Sequence, residues 1–281
     1  MQIFTKIEAL RAFLRQERAN RKTIGLVPTM GALHAGHLFL VESAKAENQL
    51  AVSTIYINPT QFNNASDLAK YPRSIDSDMA LLEKGGCDAL FYPDNQEMYA
   101  NTSTVKFEFG HLDKVLEGKF RPGHFSGVAL IVSKLFNIVQ PDIAYFGQKD
   151  FQQFKIISRL VEELKFGVEL RCIPTRREPD GLAMSSRNLR LSPAERKKAT
   201  ILFQSLSHAR EAIEHGKTLP EIKEEIRARW EGEESIALDY FEVADKENLI
   251  LLDSVKEAAS SIVLIAGFVG EVRLIDNMMV G

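Results

Sequence analysis

Cysteine is scarce: only Cys87 and Cys172 occur in 281 residues, far apart and in no metal-ligand spacing. Each lies by a strand-like run, so each is expected to be a free, buried thiol of the kind found in a reducing compartment. A surplus of one charge is also lacking. The 35 Lys and Arg residues stand against 38 Asp and Glu, a formal net charge of −3. That leaves no electrostatic footprint for nucleic acid or an anionic membrane. No apolar run is long enough to span a bilayer, and the longest near the end, Ile262 to Val269, falls well short. The first residues, Met1-Gln2-Ile3-Phe4-Thr5-Lys6, show no basic region followed by a long apolar stretch. A soluble, cytoplasmic protein without a nucleic-acid or membrane partner is expected. Internal repeats and low-complexity tracts are absent too. What remains is an ordinary globular composition, 45% hydrophobic and 26% charged, with length for one large or two modest domains and a core that needs no staples.

Periodicity then sets the class. Ile7, Leu10 and Leu14 recur at helical spacing. Thr23 to Pro28 is a short apolar run, Ala35 to about Ala46 reads as a helix, and Leu50 to Ile57 is nearly unbroken and rich in branched residues. Such a run suits a strand covered on both faces, and strand–helix–strand here is a right-handed βαβ unit. The alternation continues through a helix at Ile75, Met79 and Leu82, a strand at Ala89–Tyr92, a helical stripe from Val128 to Val139, a strand at Ile143–Phe146, a helix carrying Phe151, Phe154, Val161 and Leu164, and a strand at Val168–Ile173. A doubly wound parallel α/β sheet follows.

Beyond Asp180-Gly181 the texture changes. Ser192-Pro193-Ala194-Glu195 and Thr218-Leu219-Pro220-Glu221 are helix starts with capping-box spacing. Ser261–Phe268 and Val272–Ile275 flank Gly270 as in a hairpin, and Lys223 to Glu234 reads as a solvated helix face. The expected division is therefore a nucleotide-binding domain over 1–178 and a smaller α+β domain over 179–281.

Three segments carry chemistry. Pro28-Thr29-Met30-Gly31-Ala32-Leu33-His34-Ala35-Gly36-His37 joins the first core strand to a helix, where doubly wound folds bind nucleotides. Backbone N–H groups and the helix dipole favour a phosphate there. His34 and His37, three apart, can point the same way and donate to phosphate oxygens. A histidine pair also suits a metal, but no nearby Cys, third His or Glu completes a zinc signature, so nucleotide binding is the better reading. Gly147-Gln148-Lys149-Asp150-Phe151-Gln152-Gln153 sits at another strand-to-helix junction, with Lys149 as a mobile cation and Asp150 either capping the helix or holding a ribose. Arg176 and Asp180 to Asn188 supply two hydroxyls and the arginine forks suited to phosphate.

Together these segments show a resemblance. His34-x-Gly36-His37 and Met184-Ser185-Ser186-Arg187 resemble the two phosphate-binding signatures of the HIGH-type nucleotidylyltransferase superfamily. Pro28 to His34, Asn58-Pro59-Thr60-Gln61-Phe62, Tyr71-Pro72-Arg73, Glu117-Gly118, Arg121 to Phe125, Gly147 to Gln153 and Asp180 to Asn188 resemble, in order across roughly 160 residues, the pantothenate synthetase family. The resemblance implies a Rossmann-like fold whose smaller domain closes over the site. It also implies ATP-dependent condensation of pantoate with β-alanine through a pantoyl adenylate, with release of AMP and pyrophosphate. ATP would be contacted by Met30, Gly31, Ala32, Leu33, His34, Ala35, Gly36 and His37, by Gly147, Gln148, Lys149 and Asp150, by Arg176, and by Met184, Ser185, Ser186 and Arg187. Of these His37, His34 and Lys149 would act in catalysis. Gln61 and Gln153 would hold pantoate, with Gln61 also at the β-alanine site. Mg2+ would bridge the ATP phosphates, with Asp78 beside it through water. The family also implies a homodimer. The alternative is a nucleotidylyltransferase that keeps AMP on its product.

Overall fold

The computed structural model describes residues 1–254 and 260–280. Two compact units emerge, Met1–Gly147 with Ile156–Pro174, and Gln148–Lys155 with Thr175–Gly281.

The first unit is built on six parallel strands, β1 (Gln2–Phe4), β2 (Ile24–Thr29), β3 (Leu50–Ile55), β4 (Ala89–Phe91), β5 (Ile143–Gly147) and β6 (Glu169–Ile173), in the order β1-β4-β3-β2-β5-β6. The order reverses at β2, which pairs with β3 on one side and β5 on the other. Because β2 and β3 are buried along almost their whole length, they read as nearly continuous apolar runs rather than alternating ones. Val27, Ala51, Ile55, Leu90 and Tyr145 share one face with Leu40, Val41 and Ala44 of the helix Ala35–Glu47 and with Leu82 of the helix Ile75–Lys84. The helix His124–Val139, packed on β2 and on the helix Ile7–Ala19, covers the other face. The expected α/β elements are all present. β1 is an addition to them, since three residues are too few to show a period.

Cys87 is buried, and burial pushes its thiol up to about 11, which leaves it inert. Cys172 departs from expectation. It lies inside β6, the edge strand of the sheet, and is only partly buried.

The second unit holds a three-stranded antiparallel sheet, β7 (Ile236–Asp245), β8 (Ser261–Val269) and β9 (Val272–Val280). Both expected capping boxes form, Ser192 with Glu195 and Thr218 with Glu221. In the helix Leu219–Glu231 the buried Ile222, Ile226 and Trp230 repeat every four residues, and the charged residues take the other face. β7 is hidden from a sequence reading because a bulge between Leu238 and Tyr240 breaks its alternation. The helix Ile201–Glu214 packs on β8 and β9.

Candidate active site

β2 and β5 lie side by side at the point where the strand order reverses, and the crevice outside their carboxyl ends is where open α/β sheets take ligands. The segment Met30–His37 leaves the end of β2, and Gly147 closes β5.

The conformation of that first segment has an identifiable cause. Gly31 and Ala32 both adopt left-handed backbone, with φ of 83° and 50°. A non-glycine residue there is strained. Asp78, in the first turn of the helix Ile75–Lys84 and only 2% exposed, offsets that strain. One carboxylate oxygen accepts the Ala32 N–H at 2.8 Å, and the other accepts the Leu33 N–H at 2.7 Å and the Ser74 hydroxyl at 3.2 Å. A side chain at Gly31 would meet the same carboxylate, with a Cβ 3.0 Å from its oxygen. The loop's N–H groups are therefore largely engaged within the protein, which corrects the expectation that they await a phosphate.

The two histidines form a reciprocal cap. His34 is the N-cap of the helix Ala35–Glu47, and its Nδ1 accepts the Gly36 N–H at 3.2 Å. Nδ1 of His37 accepts the His34 N–H at 3.3 Å. The ring centroids stand 4.0 Å apart. An imidazole whose Nδ1 accepts carries its proton on Nε2. In their neutral forms both rings therefore carry the proton on Nε2.

Gln61 closes the short 3-10 turn Pro59–Gln61 and is buried. Its carbonyl accepts from Nδ1 of His124 at 2.7 Å, and its Oε1 accepts from Asn58 Nδ2 at 3.2 Å. Asn58 is itself oriented, because Nδ2 also donates to the Gly127 carbonyl while Oδ1 accepts the Tyr99 hydroxyl at 2.8 Å. The amide of Gln61 is thereby fixed with Nε2 against the Met30 sulfur at 2.9 Å. A thioether is a weak acceptor, so a ligand oxygen is a better partner for that donor. Gly127 permits this packing, since a Cβ there would fall 2.3 Å from the Thr60 carbonyl oxygen.

In the second unit, Lys149 pairs with Asp150 at 3.6 Å, Gln152 is buried and Gln153 is half-buried. Arg176 is exposed, and its carbonyl accepts the Met184 N–H at 3.0 Å. A bridge between Arg177 and Ala183 makes Arg176–Met184 a small hairpin, so Arg176 stands beside Met184, from which the chain runs on into Ser185, Ser186 and Arg187. Ser185 Oγ accepts the Arg187 N–H, and Ser186 is buried. The turn at Gly181 has φ of 91°, and a Cβ there would strike the Phe203 ring. Arg177 lies over that ring and forks onto Asp276 at 2.6 and 3.0 Å. Burial raises the Asp276 carboxyl above its ordinary range, and the Arg177 fork opposes the rise. Asn277 donates to the carbonyls of Gln148 and Lys149 at 2.9 and 2.8 Å.

The first unit thus gathers Met30–His37, Gln61 and Asp78, and the second joins Arg176 to Met184–Arg187. Sequence reasoning missed the loop-holding contacts of Asp78 and had no signal for Arg177, Asp276 or Asn277. His124 and Asn58 stood inside recognised motifs without a role.

Known proteins are similar to this chain over nearly its whole length. The family model "Pantoate-beta-alanine ligase" matches residues 2–279. The pantothenate synthetase of Carboxydothermus hydrogenoformans is 45% identical over 281 residues, covering 99% of each chain. That of Bacteroides thetaiotaomicron is 47% identical over 279 residues, covering 99% of this chain and 98% of the other. The crystal structure of pantothenate synthetase from Thermus thermophilus aligns with a TM-score of 0.92 at 41% identity over 99% of both chains. Pantoate-β-alanine ligase from Francisella tularensis, solved with β-γ ATP and β-alanine, aligns with a TM-score of 0.84 at 33% identity, covering 99% of this chain and 97% of that one.

Proposed function

Since this chain belongs to the pantoate–β-alanine ligase family, we infer that it condenses pantoate with β-alanine to pantothenate at the expense of ATP, through a bound pantoyl adenylate. A carboxylate oxygen of pantoate attacks the α-phosphorus, the bond to the bridging oxygen breaks, and pyrophosphate leaves. The β-alanine amine then attacks the acyl carbon, loses a proton and expels AMP. No protein nucleophile is required. The protein aligns two anions and neutralises charge that develops on the leaving phosphates.

The observation that carries this reading is the family match over nearly the whole chain, joined to a histidine-capped loop at the end of the central strand. Met30 to His37, Gly147 to Asp150, Arg176 and Met184 to Arg187 are assigned to ATP. His34, His37 and Lys149 stabilise the charge that builds on the phosphates. Gln61 and Gln153 are assigned to pantoate, and Gln61 also to β-alanine. The poor partner that Met30 offers Gln61 Nε2 supports its role, because a hydroxyl or carboxylate of pantoate accepts that proton better. Homodimer formation and a cytoplasmic location belong to the same proposal.

Magnesium needs its own test of fit. Three donors already occupy the roughly four lone-pair positions of the Asp78 carboxylate. Among the described residues, no three His, Cys, Asp or Glu side chains cluster to hold an ion. The residues do not fit a directly coordinated, protein-held Mg2+. The cation is assigned instead to the triphosphate and its own waters, as is common for this ion.

The test is an AMP-release assay with ATP, magnesium, pantoate and β-alanine, omitting one component at a time. Free AMP is expected only with all four present. AMP retained on the product would instead indicate a nucleotidylyltransferase. Gln61→Ala is expected to raise the KM for pantoate by roughly tenfold while ATP affinity survives. Loss of ATP binding in that variant, measured by calorimetry, would remove Gln61 from the acid pocket.

A further inference from the structure

The Asp276–Asn277 pair on β9 has no chemistry of its own in the reaction, yet both residues are nearly inaccessible, at 3% and 2% exposure. A hidden carboxylate and a hidden amide are costly unless every polar atom is satisfied, and the partners here are informative. Asp276 receives both arms of Arg177. The same guanidinium donates to the carbonyls of Gly181 and Asn277, each at 3.0 Å. Arg177 thus closes the hairpin that holds Arg176 beside Met184. Asn277 spends both amide protons on consecutive carbonyls, those of Gln148 and Lys149, and its Oδ1 accepts from Gln148 Nε2 at 3.2 Å. Its own N–H donates to Asp276 at 2.8 Å, which couples the two residues.

We propose that Asp276–Asn277 is a positioning pair for nucleotide binding, with one strand of the second unit setting both the Gln148–Lys149 turn and the Arg176–Met184 hairpin. The inference rests on the assignment of those two segments to ATP. Within the second unit, the two segments come from residues about thirty apart in sequence and would drift independently without a common anchor. An amide bonded to two successive carbonyls sets the direction of that peptide pair, and hence the departure of the Lys149 side chain. The arginine fork does the same for the strand that carries Arg176. Preorganisation of this kind lowers the ordering cost of binding a flexible triphosphate.

The test is Asn277→Asp, which keeps the size of the side chain and removes both donors. The readouts are the KM values for ATP and β-alanine, single-turnover pyrophosphate release, and the melting midpoint. The KM for ATP is expected to rise about tenfold with pyrophosphate release slowed, while the KM for β-alanine moves less than about twofold. Where the aspartate variant does not fold at assay temperature, Asn277→Ser, which retains one donor, is expected to show the same split at smaller size. An unchanged KM for ATP in folded protein overturns the proposal, as does an equal rise in every KM. Lys149→Ala separates the two layers of inference. If it weakens ATP use while Asn277→Asp does not, the positioning role falls alone. If Lys149→Ala leaves ATP use untouched, the assignment of that turn to ATP falls with it.

Discussion

Replacing His37 with alanine is expected to slow single-turnover pyrophosphate release by about a hundredfold or more, the scale for losing a key donor to developing transition-state charge. Which nitrogen faces outward decides how the ring acts. His37 Nδ1 accepts the His34 N–H, so the proton resides on Nε2 in the neutral ring. Proton donation as a general acid would need a second proton at Nδ1, the atom that accepts this N–H. That contact suits a hydrogen-bond donor at Nε2. His37→Gln separates these roles, since its amide N–H reaches near the position of Nε2 and donates without giving up a proton. A donor role predicts that His37→Gln recovers part of the rate lost in the alanine variant. Equal loss in both would assign His37 to proton transfer, and full activity in His37→Ala would remove it from the mechanism.

What the sequence displays and what it conceals follow from distance along the chain. The His34–His37 pair is local, with partners two and three residues away, so its spacing marks it in the sequence even though the mutual capping emerges only in the fold. The buried strands β2 and β3 are equally legible, because cover on both faces makes most positions apolar. Gln61 is different. Alone it resembles any surface glutamine, and what distinguishes it comes from Met30 and His124, 31 and 63 residues away. Only resemblance singled it out. Asn277 reaches partners 128 and 129 residues distant, and nothing near it in the sequence announces them. The loop contacts of Asp78 are hidden in a different way, since an acidic residue in a helix's first turn already has a sufficient reason to be there.

That second meaning of Asp78 makes its removal informative. Asp78→Ala is expected to strand the Ala32 and Leu33 N–H groups in a buried place, at about 1–3 kcal/mol for each group left unsatisfied. Some of that cost will be avoided by movement of the loop, but movement is what the site cannot tolerate, because the left-handed backbone at Gly31 and Ala32 leads directly into His34. The expected result is a fall in pyrophosphate release of about a hundredfold together with a melting midpoint lower by roughly 4 °C or more. A magnesium titration of the same variant decides why. If the carboxylate holds the loop, binding of ATP without magnesium weakens as well, and excess magnesium restores nothing. If the carboxylate ligates the ion, magnesium-free ATP binding stays intact and saturating magnesium recovers activity. The second outcome would mean that the contacts to Ala32 and Leu33 are exchanged for the cation during turnover, and that the loop finds another support when they are lost.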